Sequence, residues 1–123
     1  MNMKKILVVE DDKQLGAMIQ KSLTGHGYIV SLAGDGLEAL EIALKEPPDL
    51  IIADIAMPRM DGPTFISELW ERMNNHRIPV IYLTGLISKA EEEMQRDLLG
   101  NHFMLAKPFA PSALKSLVGQ VLR

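Results

Sequence analysis

Residues 49–62 read DLIIADIAMPRMDG. Leu50, Ile51, Ile52 and Ala53 form a short continuous apolar run, the pattern of a strand buried on both faces of a parallel sheet. Asp54 stands at its end, and Met57-Pro58 and Asp61-Gly62 then break the chain. In open α/β sheets ligands bind at the carboxyl ends of the strands, which places Asp54 on a functional rim. A single aspartate there is more simply a turn or helix-cap residue. What the rest of the chain brings to the same rim decides between the two.

Apolar runs and helix-period stretches alternate on either side, with no repeat, low-complexity segment or linker. This is the βαβ signature of a parallel sheet covered by helices, and it predicts a (βα)5 α/β domain. KKILVVE (4–10) is the first strand, and Leu15, Met18, Ile19 and Leu23 mark a helix stopped by GHG at 25–27. YIVSLA (28–33) is shorter and more polar, hence an edge strand. Leu37, Leu40 and Leu44 share a helix face, with Ala39 and Ala43 alongside, until two prolines end it. Phe65, Ile66, Leu69, Trp70 and Met73 form a third helical stripe before IPVIYLT (78–84), a strand with its proline near the start. A helix over roughly 88–98 has a thin apolar face, so marginal packing is expected. HFMLA (102–106) is the fifth strand, and Leu114, Leu117, Val118, Val121 and Leu122 define a last helix. Right-handed crossovers favour the doubly wound, flavodoxin-like order 2-1-3-4-5.

With 123 residues, 47% of them hydrophobic, the chain has room for one domain. Its formal charge of -3, with Lys and Arg dispersed, leaves no footprint for direct nucleic-acid binding. The absence of cysteine excludes disulfides, zinc-thiolate sites and thiol nucleophiles, and fits a reducing cytoplasm. No apolar run reaches membrane-span length, and the N-terminal apolar segment is too short for a signal peptide. His26, His76 and His102 lack ligand spacing and are read as surface or loop residues.

The strand ends deliver Glu10, Asp11 and Asp12, then Asp54, Thr84 and Lys107, to one rim. Asp11 or Asp12 serves equally as a cap for the first helix, Thr84 as a cap and Lys107-Pro108 as a turn when each is taken singly. Together they are harder to dismiss. Carboxylates about 4 Å apart repel by roughly 4 kcal/mol at an effective dielectric near 20. A hard divalent cation relieves that, and an all-oxygen site suits Mg²⁺. A carboxylate beside Mg²⁺, with one Lys as a point charge and one Thr hydroxyl as donor, is equipment for phosphoryl transfer onto that carboxylate. Gly85 leaves space next to Thr84. No general base is suitably placed, so the chemistry relies on a reactive phosphodonor.

ILVVEDD, LIIADIAMPRMDG, VIYLTG and LAKPF, in this order, resemble the receiver domain of two-component response regulators across essentially all of residues 1–123. The resemblance implies Asp54 as phosphoacceptor, Asp11 as a direct Mg²⁺ ligand and Glu10 as an acidic neighbour reaching the metal through water. It further implies the Ala56 carbonyl as a metal ligand, Thr84 as the switch hydroxyl, Lys107 as the phosphate-contacting lysine and a cis Lys107-Pro108 bond. A histidine kinase or histidine phosphotransfer protein would donate the phosphoryl group, switching the surface of the fourth helix, fifth strand and fifth helix. Met104 stands where the family usually has Tyr or Phe. A flexible Met, or Phe103 if the strand carries a bulge, would have to take that role. Ala56 and Leu86 occupy positions that tune dephosphorylation; both are apolar, which implies a comparatively long-lived phosphorylated state. DLLGNHF (97–103) departs from the usual small-residue run before the fifth strand.

A haloacid-dehalogenase-like phosphatase would need a second Asp where Ala56 stands. A flavodoxin-like cofactor binder would need a phosphate cradle where EDDKQ (10–14) would repel phosphate. A receiver-like interaction module that works without phosphorylation stays open as the alternative. No DNA-binding, catalytic or kinase segment follows Arg123 in the sequence. Output is therefore expected through a downstream protein, or through a fused output domain if the chain is a piece of a larger regulator or hybrid kinase.

Overall fold

The computed structural model describes residues 3–57, 59–74, 77–85 and 102–123. Among these, β1 (Lys5–Val9), β2 (Ile29–Ala33), β3 (Leu50–Asp54), β4 (Val80–Thr84) and β5 (His102–Ala106) form one sheet in the order β2-β1-β3-β4-β5. All four pairings are parallel. The predicted doubly wound α/β topology is therefore the one observed. The helix expected over 88–98 lies outside the described residues, as do Leu86 and His76.

The apolar runs become strands because both sheet faces are covered. Leu7, Val9, Ile51, Ala53, Val80, Tyr82 and Met104 point to one core with α2 (Gly36–Lys45) and α3 (Gly62–Arg72). Ile6, Val8, Leu50, Ile52, Ile81 and Leu83 point to a second core with α1 (Lys13–Thr24) and the last helix, α4 (Pro111–Val121). The alternation follows from the two-residue period of a strand. As expected of an edge, β2 is the more exposed of the two strands flanking β1, with Ile29 open to solvent.

The α2 face differs in detail from its leucine spacing. Gly36, Ala39, Leu40 and Ala43 are buried, whereas Leu37 and Leu44 are exposed. Small residues let the helix lie close to the sheet and to α3, so the alanine side turns inward. Asp35 caps α2 by accepting the Glu38 N–H at 2.9 Å. That bond and the Arg59 guanidinium hold the Asp35 carboxyl below its ordinary value of 3.8. A depressed folded-state pKa contributes stability that is present above the unfolded value and lost as pH falls through the folded one. Urea midpoints of wild type and Asp35→Asn should thus differ near neutral pH, with wild type the more stable, and converge as the solution is acidified below the ordinary carboxylate range.

Candidate functional site

The order of the sheet places the ends of β1 and β3 side by side, with β4 beside β3 and β5 beyond β4. Glu10 follows β1, is 5% exposed, and its N–H donates to the Ala33 carbonyl at 3.0 Å. Asp12 is the cap of α1: its carboxylate accepts from the Gln14 and Leu15 N–H groups at 3.0 and 3.1 Å. With the capping role filled, the exposed Asp11 stays at the rim. Asp54 ends β3, and carboxylate oxygens of Glu10, Asp11 and Asp54 all lie within 4.8 Å of one another.

Lys107, arriving from β5, donates from Nζ to Glu10 Oε1 at 3.0 Å and to Asp54 Oδ2 at 3.1 Å. Its own N–H donates to the Thr84 carbonyl at 2.7 Å, which ties the β5 exit to the end of β4. Thr84 itself is buried. The Ala56 N–H donates to Asp54 Oδ1 at 3.3 Å, so both oxygens of Asp54 are held. The Lys107-Pro108 bond is cis, as the sequence resemblance implies. The predicted residues Glu10, Asp11, Asp54, Ala56, Thr84 and Lys107 are therefore brought to one rim.

Burial pushes the Glu10 carboxyl up to about 7, opposed by its bonds to Lys107 and to the Asp12 N–H and reinforced by the negative charge of Asp54. Burial also acts against the Lys107 charge, but the hydrogen bonds to Glu10 and Asp54 outweigh it and raise the lysine above its ordinary value. Three carboxylates face one ammonium here. The negative surplus and the purely oxygen donor set fit a hard divalent cation. A cleft of ≈ 700 Å³ opens beside them, bordered by Asp11, Ile55, Ala56, Met57, Asp61, Pro63 and Thr64.

Backbone packing shapes this rim. Gly62 opens α3 where an added Cβ would stand 2.6 Å from the Asp54 carbonyl oxygen, so the helix start is pressed against the strand end. Asp61 caps α3 through the Thr64 N–H at 2.8 Å. At Gly85 an added Cβ would meet nothing within 4 Å among the described residues.

Two features are not evident from the sequence. His102, in the strand expected over 102–106, is half-buried instead of a surface or loop residue, with its ring stacked on Trp70 at 5.1 Å and edge-on to Tyr82 at 5.1 Å. Burial and the nearby Arg77 charge lower its pKa. The other is Asp35, whose partner Arg59 lies 24 residues away. GDG before a helix signals the cap, but nothing local signals the guanidinium. At the β5 edge, pairing runs without interruption from Val80↔His102 to Thr84↔Ala106, so these residues contain no bulge. Met104 is buried beside Tyr82 in one core and Phe103 faces the other.

The structure is thus a five-stranded doubly wound sheet with acidic residues, a threonine and a lysine gathered at its switch-point rim. Residues 6–119 match the response regulator receiver domain family. The chain belongs to that family. It is 35% identical over 119 residues to response regulator MprA of Mycobacterium leprae (strain TN), covering 97% of this chain and 51% of that protein. It is also 35% identical over 120 residues to the alkaline phosphatase synthesis transcriptional regulatory protein PhoP of Bacillus subtilis (strain 168), covering 98% and 49%. The chain thus spans about half the length of these curated relatives. Among solved structures, Vibrio cholerae chemotaxis protein CheY4 superposes with a TM-score of 0.86 at 34% identity, covering 98% of this chain and 100% of that one. The receiver domain of the hybrid histidine kinase CckA gives 0.80 at 31% identity, covering 97% and 99%. No helix among the described residues is long and apolar enough to cross a membrane.

Proposed function

We propose that the chain, over residues 1–123, is a phosphoacceptor module of a two-component pathway, taking a phosphoryl group onto Asp54 from a histidine kinase or histidine phosphotransfer protein. The observation that carries this reading is the position of Lys107 Nζ, within hydrogen-bond distance of both Glu10 and Asp54. A carboxylate oxygen of Asp54 attacks phosphorus, the new P–O bond forms as the P–N bond of the phosphohistidine breaks, and the departing imidazole nitrogen takes a proton from solvent. Lys107 leaves its carboxylate partners to meet the transferred oxygens, and the Thr84 hydroxyl donates to one of them. The Ala56 amide steadies Asp54 for attack.

Glu10, Asp11, Asp54 and the Ala56 carbonyl are the residues that would hold Mg²⁺, Glu10 through water. When bound, the ion supplies neutralisation of negative charge on the transferred group. Phosphorylation then changes a protein-interaction surface built on β5, α4 and the segment between β4 and β5, read by a downstream protein or a fused output domain. Neither direct nucleic-acid contact nor a membrane is required, and the expected compartment is the cytoplasm.

The test is intact-mass spectrometry of the full chain incubated with Mg²⁺ and acetyl phosphate, followed by a panel of histidine phosphodonors. A single phosphoryl adduct that disappears on chelation is expected. Failure with every donor would favour a binding module that works unphosphorylated.

A further inference from the structure

Asp35, Glu10 and Thr84 are the buried polar or charged residues among those described, and Asp35 alone stands outside the acidic rim. Its two oxygens have different tasks. Oδ1 caps α2, while Oδ2 accepts from Nε of Arg59 at 3.0 Å and from Nη2 of the same guanidinium. A cap needs one oxygen, and asparagine serves as well as aspartate. The second oxygen belongs to the connection between β3 and α3. Arg59 there has φ 67, a conformation glycine adopts freely and L side chains rarely do. An arginine at that position is explained by what its guanidinium holds.

The same connection is pressed on α2 by backbone. A Cβ at Gly36 would stand 2.5 Å from the Met60 carbonyl oxygen, so the α2 start lies directly on residue 60. The two ends of the connection are joined by the Gly62 N–H donating to the Ile55 carbonyl at 3.0 Å, and Ile55 is fixed to β4 through Leu83 at 3.1 Å. Ala56, one residue into this closed loop, supplies the N–H that holds Asp54 Oδ1 and borders the cleft beside Asp11.

We propose that Asp35 and Arg59 are positioning residues for Asp54: their ion pair clamps the β3–α3 connection to the start of α2 and so keeps Ala56 on the Asp54 carboxylate and at the cation cleft. The link to chemistry rests on the phosphoacceptor reading above; the link to geometry does not. Exposed ion pairs contribute little, and the Arg59 side chain is 60% exposed, but the Asp35 side chain is only 13% exposed and its Oδ2 accepts from two nitrogens of the guanidinium.

Two substitutions isolate the pair. Asp35→Asn keeps a capping oxygen and removes the charge; Arg59→Gly keeps the backbone conformation and removes the guanidinium. In the full chain without metal, NMR-detected amide exchange at Ala56 and Gly62 is expected to quicken in either variant about tenfold more than the uniform change in β1 and β3 amides that lower global stability brings. The Mg²⁺ concentration giving half-maximal phosphoryl uptake from acetyl phosphate should rise by about threefold or more, since small misplacements at a reacting centre are amplified in rate. The double variant should be no worse than the worse single one, the mark of a shared interaction. A purely structural pair would lower the urea midpoint, quicken exchange at Ala56 and Gly62 no more than in β1 and β3, and leave the Mg²⁺ dependence at its wild-type value, and that result overturns the proposal. Should wild type accept no phosphoryl group, the functional reading fails, while the exchange rates at Ala56 and Gly62 still decide the clamp.

Discussion

Asp54→Asn is expected to abolish phosphoryl uptake while leaving the chain folded. The amide keeps an oxygen that can accept the Ala56 N–H, now held at 3.3 Å, so the end of β3 retains its local bond. It loses the nucleophilic carboxylate and the charge facing Lys107 at 3.1 Å. The neighbouring acids are poor substitutes. Glu10 is buried and occupied by Lys107 and the Asp12 N–H, and Asp11 is exposed at the mouth of the rim. A neutral amide oxygen does not attack phosphorus to displace the donor's leaving group, so loss to below detection is expected, not a partial decline. The effect on stability is small by comparison. Removing one of three clustered like charges offsets the broken ion pair, and the net change should stay within about 1 kcal/mol. Intact mass after acetyl phosphate and a urea titration of the same preparation check both halves. An undiminished adduct would move the acceptor to another residue.

Two glycine-to-alanine substitutions should have opposite signs. Alanine in place of a helical glycine ordinarily stabilises by about 0.4–1 kcal/mol, chiefly by restricting the unfolded chain. At Gly119 in α4 an added Cβ would meet nothing within 4 Å among the described residues, so Gly119→Ala should show that gain. Gly62→Ala places its methyl 2.6 Å from the Asp54 carbonyl oxygen and 3.2 Å from a Tyr82 ring carbon. The ring edge belongs to a buried side chain, and the carbonyl belongs to a central strand. Neither yields by a simple rotamer change, so α3 or β3 must shift. Overpacking of this kind costs about 1–3 kcal/mol and outweighs the entropic gain. The shift falls on Asp54 itself, so phosphoryl uptake should slow as well. Denaturant midpoints at unchanged slope measure both variants. Stabilisation by Gly62→Ala would mean that α3 does not press on the strand end as described.

The fold was legible because its information is local and periodic. Ile51, Ile52 and Ala53 are fully buried, as a continuous apolar run between helices requires. The rim was legible because parallel strands all release their ends on one side, so Glu10, Asp54 and Lys107 are neighbours once the order is known. Tertiary choices were not. Spacing puts Leu37, Leu40 and Leu44 on one side of α2, yet only Leu40 is buried, because the alanines allow closer approach than leucines. His102 has the polarity of a surface residue and is sheltered by Trp70 and Tyr82, partners in other elements. Asp35 and Arg59 meet only because the β3–α3 connection folds back over α2.

Lys107 also bears on the width of the sheet. Its backbone follows β5, separated from β3 by the whole of β4, a gap of about two strand spacings or roughly 10 Å. Glu10 stands beyond β3, after β1. The side chain therefore stitches together strands that share no ladder, and it does so at the one edge where the ladders have ended. A hydrogen-bonded sheet resists sliding between neighbours; this stitch resists spreading across non-neighbours. Any group placed on Asp54 that draws the ammonium away from Glu10 releases the direct tie between β1 and β5 and leaves β5 held to β3 through the added group. A change of charge at one carboxylate thus becomes a change in tension across the molecule's rim.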